Sequence, residues 1–189
     1  MKRALLALSL LAALPFAASA QESGNPGLSY NYLEGGYVAT KTDSGDADGW
    51  GLNGSAAFTP NWSVFGAYSN QKIDNTSIDF DQWRLGVGYN HQLGASNTDL
   101  VTRVAYEKFD AGAGANFDGY SAEAGVRSAM TPNLEGYALA GYENGDQYDG
   151  DFYGRVGAQV KFNPNWGING DVKFVSGDTQ WFVGPRFSW

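Results

Sequence analysis

The chain has 189 residues, a formal charge of −8 and no Cys. The missing thiols exclude a disulfide framework, a thiolate metal site and a Cys nucleophile, and the acidic balance argues against nucleic acid as a partner. Twenty-six Gly and an aromatic content of 15% describe a chain rich in turns and rings, as expected of a barrel with one polar and one apolar face.

At the N-terminus, Lys2 and Arg3 precede an apolar stretch, Ala4 to Ala13, which Pro15 breaks. Ala18-Ser19-Ala20 ahead of Gln21 has the small-x-small form of a cleavage site. Residues 1–20 therefore read as a cleaved secretory signal, with an uncleaved membrane anchor as the less favoured alternative. A short periplasmic segment over 21–27 and one barrel over 28–189 are expected to follow. After the signal no run of about 18 apolar residues recurs, so a membrane home has to be a closed barrel.

Thr59-Pro60-Asn61-Trp62, Thr131-Pro132-Asn133-Leu134 and Asn163-Pro164-Asn165-Trp166 are one turn used three times. Pro presets φ, Asn tolerates the conformation that closes the turn, and an apolar residue restarts the next strand. Counting from these turns, with a fourth around Gly94, predicts an all-β, antiparallel up-and-down transmembrane barrel. Its ten strands fall near 28–40, 49–59, 62–72, 80–92, 98–109, 117–130, 134–143, 152–162, 166–175 and 180–189. Eight strands is the alternative, which would have to demote two segments. Both ends of the barrel lie on the rim of tight turns. The opposite rim is expected to carry longer polar loops at 41–48, 73–79, 110–116, 144–151 and 176–179.

Period-two alternation marks the two faces. In the fourth strand Trp83, Leu85, Val87 and Tyr89 alternate with Arg84, Gly86, Gly88 and Asn90. The fifth, sixth and ninth behave likewise, and the apolar sets end in aromatics (Trp62, Trp83, Tyr89, Tyr106, Phe162, Trp166), as girdles at two interfaces would. A soluble sandwich alternates too, but does not need such girdles. The third and seventh strands are open: Val64 and Tyr68 compete with Phe65 and Ala67 for the outside. In the last strand Trp181, Val183, Pro185, Phe187 and Trp189 share one face, and the terminal aromatic resembles the signal read by the barrel-assembly machinery. Pro185 cannot donate a ladder hydrogen bond, so a bulge or a weakly paired point on the seam with the first strand is expected.

The polar faces carry Glu34, Arg84, Arg103, Glu107, Glu123, Arg127, Arg155, Lys161, Asp171, Lys173 and Arg186, seven basic and four acidic. Pairs such as Arg103 with Glu123 and Glu107 with Arg127 are expected between neighbouring strands. Two readings are open: the charges brace and solvate the interior, or they line a narrow pore to which inward glycines (Gly51, Gly86, Gly88, Gly119, Gly125, Gly157) give room. Ten strands stand between a filled eight-stranded interior and an open porin.

The far loops are acidic. Asp43, Asp46 and Asp48 offer oxygen ligands to a hard cation but lack the twelve-residue calcium-loop pattern; solvation of the surface is the plainer reading. No metal or cofactor is expected. The chain has one His, His91, placed beside a turn on the terminal rim. It reads as an interfacial polar residue, and no nucleophile elbow, phosphate loop or ligand cluster accompanies it. Catalysis is not expected.

Residues 30–40, 80–91 and 101–109 (Tyr30-Asn31-Tyr32-Leu33-Glu34-Gly35-Gly36-Tyr37-Val38-Ala39-Thr40, Phe80-Asp81-Gln82-Trp83-Arg84-Leu85-Gly86-Val87-Gly88-Tyr89-Asn90-His91 and Val101-Thr102-Arg103-Val104-Ala105-Tyr106-Glu107-Lys108-Phe109) carry a family resemblance. Together with the signal peptide they resemble the small porin-like outer-membrane proteins known as diffusible-signal-regulated, or sulfation-dependent quorum factor, proteins. The resemblance implies a bacterial outer-membrane barrel, released also in vesicles, with links to quorum sensing, biofilm and virulence. Its expected partners are outer-membrane lipid, lipopolysaccharide and the assembly machinery, and a monomer is favoured. A secreted signalling or adhesion ligand, with Tyr30 or Tyr32 sulfated, is the competing reading; neither tyrosine has an acidic cluster beside it. If the terminal strand is the assembly signal, deleting Trp189 abolishes the heat-modifiable barrel band on a gel of boiled against unboiled membranes; an unchanged band would remove that role.

Overall fold

An extended strand presents successive side chains to opposite faces, so the alternation above gives each strand a face for lipid and a face for a lumen. The computed structural model describes residues 27–43, 45–111 and 116–189. The signal peptide expected at 1–20 and most of the segment expected at 21–27 lie outside the described residues. Ten strands follow in order: β1 (Tyr32–Thr42), β2 (Gly45–Ala57), β3 (Trp62–Ile73), β4 (Asp79–Gln92), β5 (Thr98–Asp110), β6 (Asn116–Thr131), β7 (Leu134–Gly145), β8 (Tyr148–Lys161), β9 (Trp166–Val175) and β10 (Asp178–Ser188). Each pairs antiparallel with its sequence neighbours, and β1 pairs with β10 to close the barrel. The ten-stranded expectation holds and the eight-stranded one falls.

The outward face is apolar around the whole circumference. Leu85 is 68% exposed, Val104 59%, Val183 50% and Val156 46%, at mid-strand positions where a soluble protein would bury them. Aromatics border this band: Trp50 meets Tyr68 in a T-shaped contact and Tyr68 packs tilted on Trp83 towards one rim, with Trp62 on Tyr89 and Trp166 on Phe187 towards the other. Among the described residues no helix is long and apolar enough to cross a membrane; here strands make the apolar band.

Register decides the two open strands. Val64 pairs with Val87 and Tyr68 with Trp83, which puts both on the outside and sends Phe65 inward opposite Gly86. On β7, Glu135 and Leu139 are buried inward and Ala138 and Ala140 face out.

The three repeated turns share one tie to the barrel wall and differ in how they are capped. In the first and third the leading residue caps the turn: Thr59 Oγ1 accepts from Trp62 N at 2.9 Å, and Asn163 Oδ1 from Trp166 N at 2.9 Å, while in the shorter second turn Thr131 Oγ1 accepts from Asn133 N at 3.3 Å. The third residue ties the turn to the next strand along: Asn61, Asn133 and Asn165 donate Nδ2 to the carbonyls of Asn90, Lys161 and Ser188 at 2.8, 3.1 and 2.8 Å. The same three Asn accept a backbone N–H from those residues, so each turn extends the ladder by one further pair.

The expectation of longer loops on the far rim is overturned. Strands run on through most of them, leaving two residues between β1 and β2, β7 and β8, and β9 and β10. The last is Ser176-Gly177, with φ 46° and 93°, the two-positive-φ hairpin whose twist matches its strands. Polar composition hid this, because strands that rise above the lipid no longer need an apolar face.

The first strand also starts later than expected. Residues 28–31 are not paired as strand, and the ladder with β10 opens at Tyr32↔Ser188. That ladder runs to Glu34↔Arg186, lapses, and resumes at Tyr37↔Val183. Pro185 sits in the lapse, where no β1 partner asks for its missing N–H. The backbones come so close here that a Cβ on Gly36 would lie 2.1 Å from Val183 O, and one on Gly184 2.1 Å from Gly35 O.

The inward glycines do not leave a bore. A Cβ on Gly86 would stand 2.5 Å from Phe65 Cζ, one on Gly157 2.3 Å from Tyr137 Cζ, and one on Gly141 2.3 Å from Tyr153 Cζ. Each gives a seat to a ring from the adjacent strand. Gly157→Ala should therefore lower unfolding stability in detergent by about 1–3 kcal/mol through overpacking. Gly154→Ala, whose added Cβ meets nothing within 4 Å, is the matched control and should be neutral; equal effects of the two would refute the seat.

Candidate functional site: the lumen and its closed mouth

Every charge expected on the polar faces is inside, and nearly all are paired by carboxylates on neighbouring or next-neighbouring strands. Arg84 Nε lies 3.1 Å from Glu107 and its Nη2 3.5 Å from Glu123; Arg103 Nε lies 2.7 Å from Glu123. Arg155 Nε contacts Asp171 at 2.8 Å, and Arg186 Nε contacts Glu34 at 2.6 Å. Tyr153 donates to Glu123 at 2.8 Å and Ser121 to Glu107 at 2.6 Å, so the buried carboxylates also receive hydroxyl hydrogen bonds. Aromatic faces support the cations: Arg84 and Arg103 lie 5.4 and 5.6 Å from the Phe65 centroid, and Arg186 4.1 Å from that of Tyr32.

One expected pair forms and one does not. Arg103 is directly opposite Glu123 in the β5–β6 register. Glu107 is opposite Gly119, while Arg127 is opposite Asp99 at the other end of β5. Arg127 instead binds Glu135 through Nη2 at 2.5 Å, and Glu107 takes Arg84. Glu135 also meets Lys161, and Glu143 meets Lys173.

Glu135, Glu143 and Asp99 are the acids missing from the seven-to-four imbalance read from sequence. Glu135 and Glu143 stand on the strand whose parity was open, and Asp99 begins a strand beside a turn. Inward tyrosines were missed as well. Tyr137 binds Asp171, Tyr153 binds Glu123 and Tyr30 binds Asp99 at 2.9 Å. Tyr in a barrel reads as girdle, and only the glycine opposite it signals an inward ring.

The mouth on the terminal rim is covered from within. The segment Gly27–Asn31 leaves β1 and crosses to β6 and β8 on the opposite wall. Gly27 lies beside Ala129, and its carbonyl accepts from Lys161 Nζ at 2.5 Å. Leu28 (3% exposed) and Tyr30 (8%) pack with Val101 and Leu139, flanked by Ala57, Ala129 and Tyr137. Arg127 Nη1 donates to Ser29 O at 2.9 Å, and its guanidinium lies 4.9 Å from the Tyr30 centroid. Asn31 Oδ1 accepts from Ala57 N at 2.7 Å. The barrel order puts β1 and β6 diametrically apart, so the segment spans the whole mouth.

Above this seal lies a cavity of about 130 Å³, room for roughly ten waters. It is lined by the central charges and, towards the far rim, by Ser69, Gln82 and Gln180. Gln180 Nε2 is 3.4 Å from Gln82 Oε1, a weak contact linking β10 to β4 across the lumen.

The remaining candidates are peripheral. Asp46 and Asp48 sit on β2 facing out, Asp43 sits in the turn, and among the described residues no three acidic, His or Cys side chains converge on a metal position. His91 is exposed, with its ring stacked on that of Tyr89 at 6.5 Å. Trp181 and Val183 face outward at 47% and 50% exposure, and Phe187 stacks between Trp166 and Trp189.

The class this defines is a transmembrane β-barrel with a charge-filled lumen closed at one mouth. No family model matches the chain, and no curated protein does. Solved structures of similar architecture include the KdgM porin, 14% identical over 83% of this chain and 99% of that one, with a TM-score of 0.47. The translocator domain of autotransporter NalP from Neisseria meningitidis is 11% identical over 99% and 98%, with a TM-score of 0.46. Ail, the attachment invasion locus protein of Yersinia pestis, is 13% identical over 86% and 100%, with a TM-score of 0.40. The likeness is one of barrel fold.

Glu123 is the common counter-charge of Arg84 and Arg103. Glu123→Gln keeps the shape and removes the charge, leaving buried cations under-compensated. The expected loss is about 3–5 kcal/mol of unfolding stability, read as a lower denaturant midpoint of the refolded barrel; an unchanged midpoint would show the network to be energetically idle.

Proposed function

We propose that this chain is a non-catalytic barrel of the bacterial outer membrane that contributes to envelope integrity, with its lumen shut at rest. The observation that carries this reading is the segment Gly27–Asn31 crossing the mouth on the rim of Pro-Asn turns, which we place in the periplasm. A channel would leave that diameter clear; here Leu28 and Tyr30 fill it. Conduction through a narrow charge-lined path then requires the segment to swing out.

The short far-rim connections leave little loop for enclosing a large ligand, so surface interaction falls to the acidic outer rim, including Asp46, Asp48 and Asp79. Lipopolysaccharide and outer-membrane lipid are the partners this surface would meet, and the assembly machinery is the partner during biogenesis. Resemblance to the quorum-factor proteins ties the same surface to quorum sensing, biofilm and virulence, with vesicles as the route outward. The competing reading, a released tyrosine-sulfated signal, fits less well. Tyr30 is buried against Asp99 and Tyr32 lies under Arg186, where a modifying enzyme has no access.

Refolded protein in a planar bilayer should be electrically quiet, and the double variant Leu28→Ala, Tyr30→Ala should give discrete conductance steps. Steps of the same size from the unaltered protein would overturn the closed resting state.

A further inference from the structure

The lumen charges are balanced in number of partners but not in where they point. Glu123 has no exposed side-chain surface, whereas the side chains of Arg103 and Arg155 that flank it are each 19% exposed. The carboxylates of Glu123 and Glu143 lie behind the cavity wall, and Arg84, Arg103, Arg155 and Lys173 form its surface; the acids that reach it are Glu34, Glu107 and Asp171.

The way the arginines engage matters more. Arg155 meets Asp171 through Nε alone, with Nε bonded to both carboxylate oxygens at 2.8 and 2.9 Å. Arg103 likewise approaches Glu123 through Nε at 2.7 Å, off the axis of a hydrogen bond. The terminal Nη groups of Arg103 and Arg155 make no hydrogen bond to any described residue. A guanidinium normally spends that fork on a carboxylate or phosphate, where two parallel N–H groups match two oxygens. Here two guanidinium groups engage their carboxylates through Nε, keep 19% of their side-chain surface exposed and line the same cavity of about 130 Å³, with the Phe65 ring against Arg103 and Lys173 in the same lining.

We propose that the lumen is a binding site for one small oxyanion, held by the Nη groups of Arg103 and Arg155. The chemical class is a tetrahedral or planar anion of sulfate, phosphate or small-carboxylate size. The seal at Leu28 and Tyr30 closes one side of this space and the Gln82–Gln180 contact narrows the other, and each Nη pair matches two oxygens of one such anion. Halides satisfy the charge but not the paired donors, so they bind less well. This site does not depend on the envelope role, and a quiet barrel can hold the ion without conducting it.

The test is a titration of the refolded mature barrel in neutral detergent with sodium sulfate against sodium chloride at equal ionic strength, followed by calorimetry and by thermal shift. Saturable binding of one sulfate per barrel is expected. Arg155→Lys and Arg103→Lys keep the ion pair with Asp171 or Glu123 and remove the fork, and each should weaken binding at least about tenfold. Lys108→Gln, on the outer surface beside Asp118, should leave it unchanged. Two results overturn the proposal: sulfate acting no differently from chloride on the unaltered protein, or both Lys variants, folded by heat-modifiability, binding sulfate as tightly as before. Because the first result is read on the unaltered chain, a variant that does not fold cannot shelter the proposal. Inorganic phosphate and acetate in the same titration separate tetrahedral from planar preference.

Discussion

Lipid offers no hydrogen bonds, so every backbone N–H and C=O that crosses it needs a partner within the protein. This constraint organises the rest of the structure. It requires β1 to find β10, and it makes the one lapse in that seam tolerable only where Pro185 lacks a donor and Gly36 and Gly184 let the chains approach. It also explains the repeated Asn of the tight turns. Each reaches past its own hairpin to the next strand, extending the ladder into the rim where the interface would otherwise begin to fray.

Closure creates the second problem, a narrow interior that must be filled without stranding charge. The chain solves it with two devices. Rings from one strand sit over glycines of the next, as Phe65 does on Gly86 and Tyr137 on Gly157, so bulk is added without widening the wall. Charges are distributed so that each buried carboxylate serves more than one donor: Glu123 receives Arg84, Arg103 and Tyr153, and Glu135 receives Arg127 and Lys161. Breaking one member of such a set strands the others, which is why the interior resists piecemeal change. The crossing segment Gly27–Asn31 uses the same logic at the mouth, with Arg127 serving Glu135, a backbone carbonyl and the Tyr30 ring together.

The lumen is thus cross-linked where carboxylates back the wall and open where Arg84, Arg103 and Arg155 line the cavity. A dry apolar plug would have sealed the barrel more simply. The arrangement found keeps a cavity lined by cationic side chains at the centre while closing the end.

Much of the architecture was legible because strand alternation and turn chemistry are local. Trp83-Arg84-Leu85-Gly86 declares its two faces without reference to any neighbour, and Pro-Asn in a turn marks the same bend each time. The pairing of Arg103 with Glu123 could be read because both lie mid-strand, where register errors are small. Glu107 with Arg127 failed for the converse reason: their positions depend on a register the hairpin sets, and they end at opposite ends of β5. The far-rim loops were misread because strand above the membrane has no apolar face to betray it. Leu28 and Tyr30 were misread as strand because alternation does not distinguish a ladder from a segment that turns across the mouth. By itself, then, the sequence determined the ten alternating segments, the lipid face of all but the third and seventh strands, and the inward basic residues, since each rests on side-chain chemistry at known parity. Only the tertiary structure decided how Arg84, Glu107, Arg127 and Glu135 are paired, that glycines seat rings instead of leaving a bore, and that one mouth is shut. Those depend on register and on contacts across the barrel, where residues far apart in the chain are brought together by closure alone.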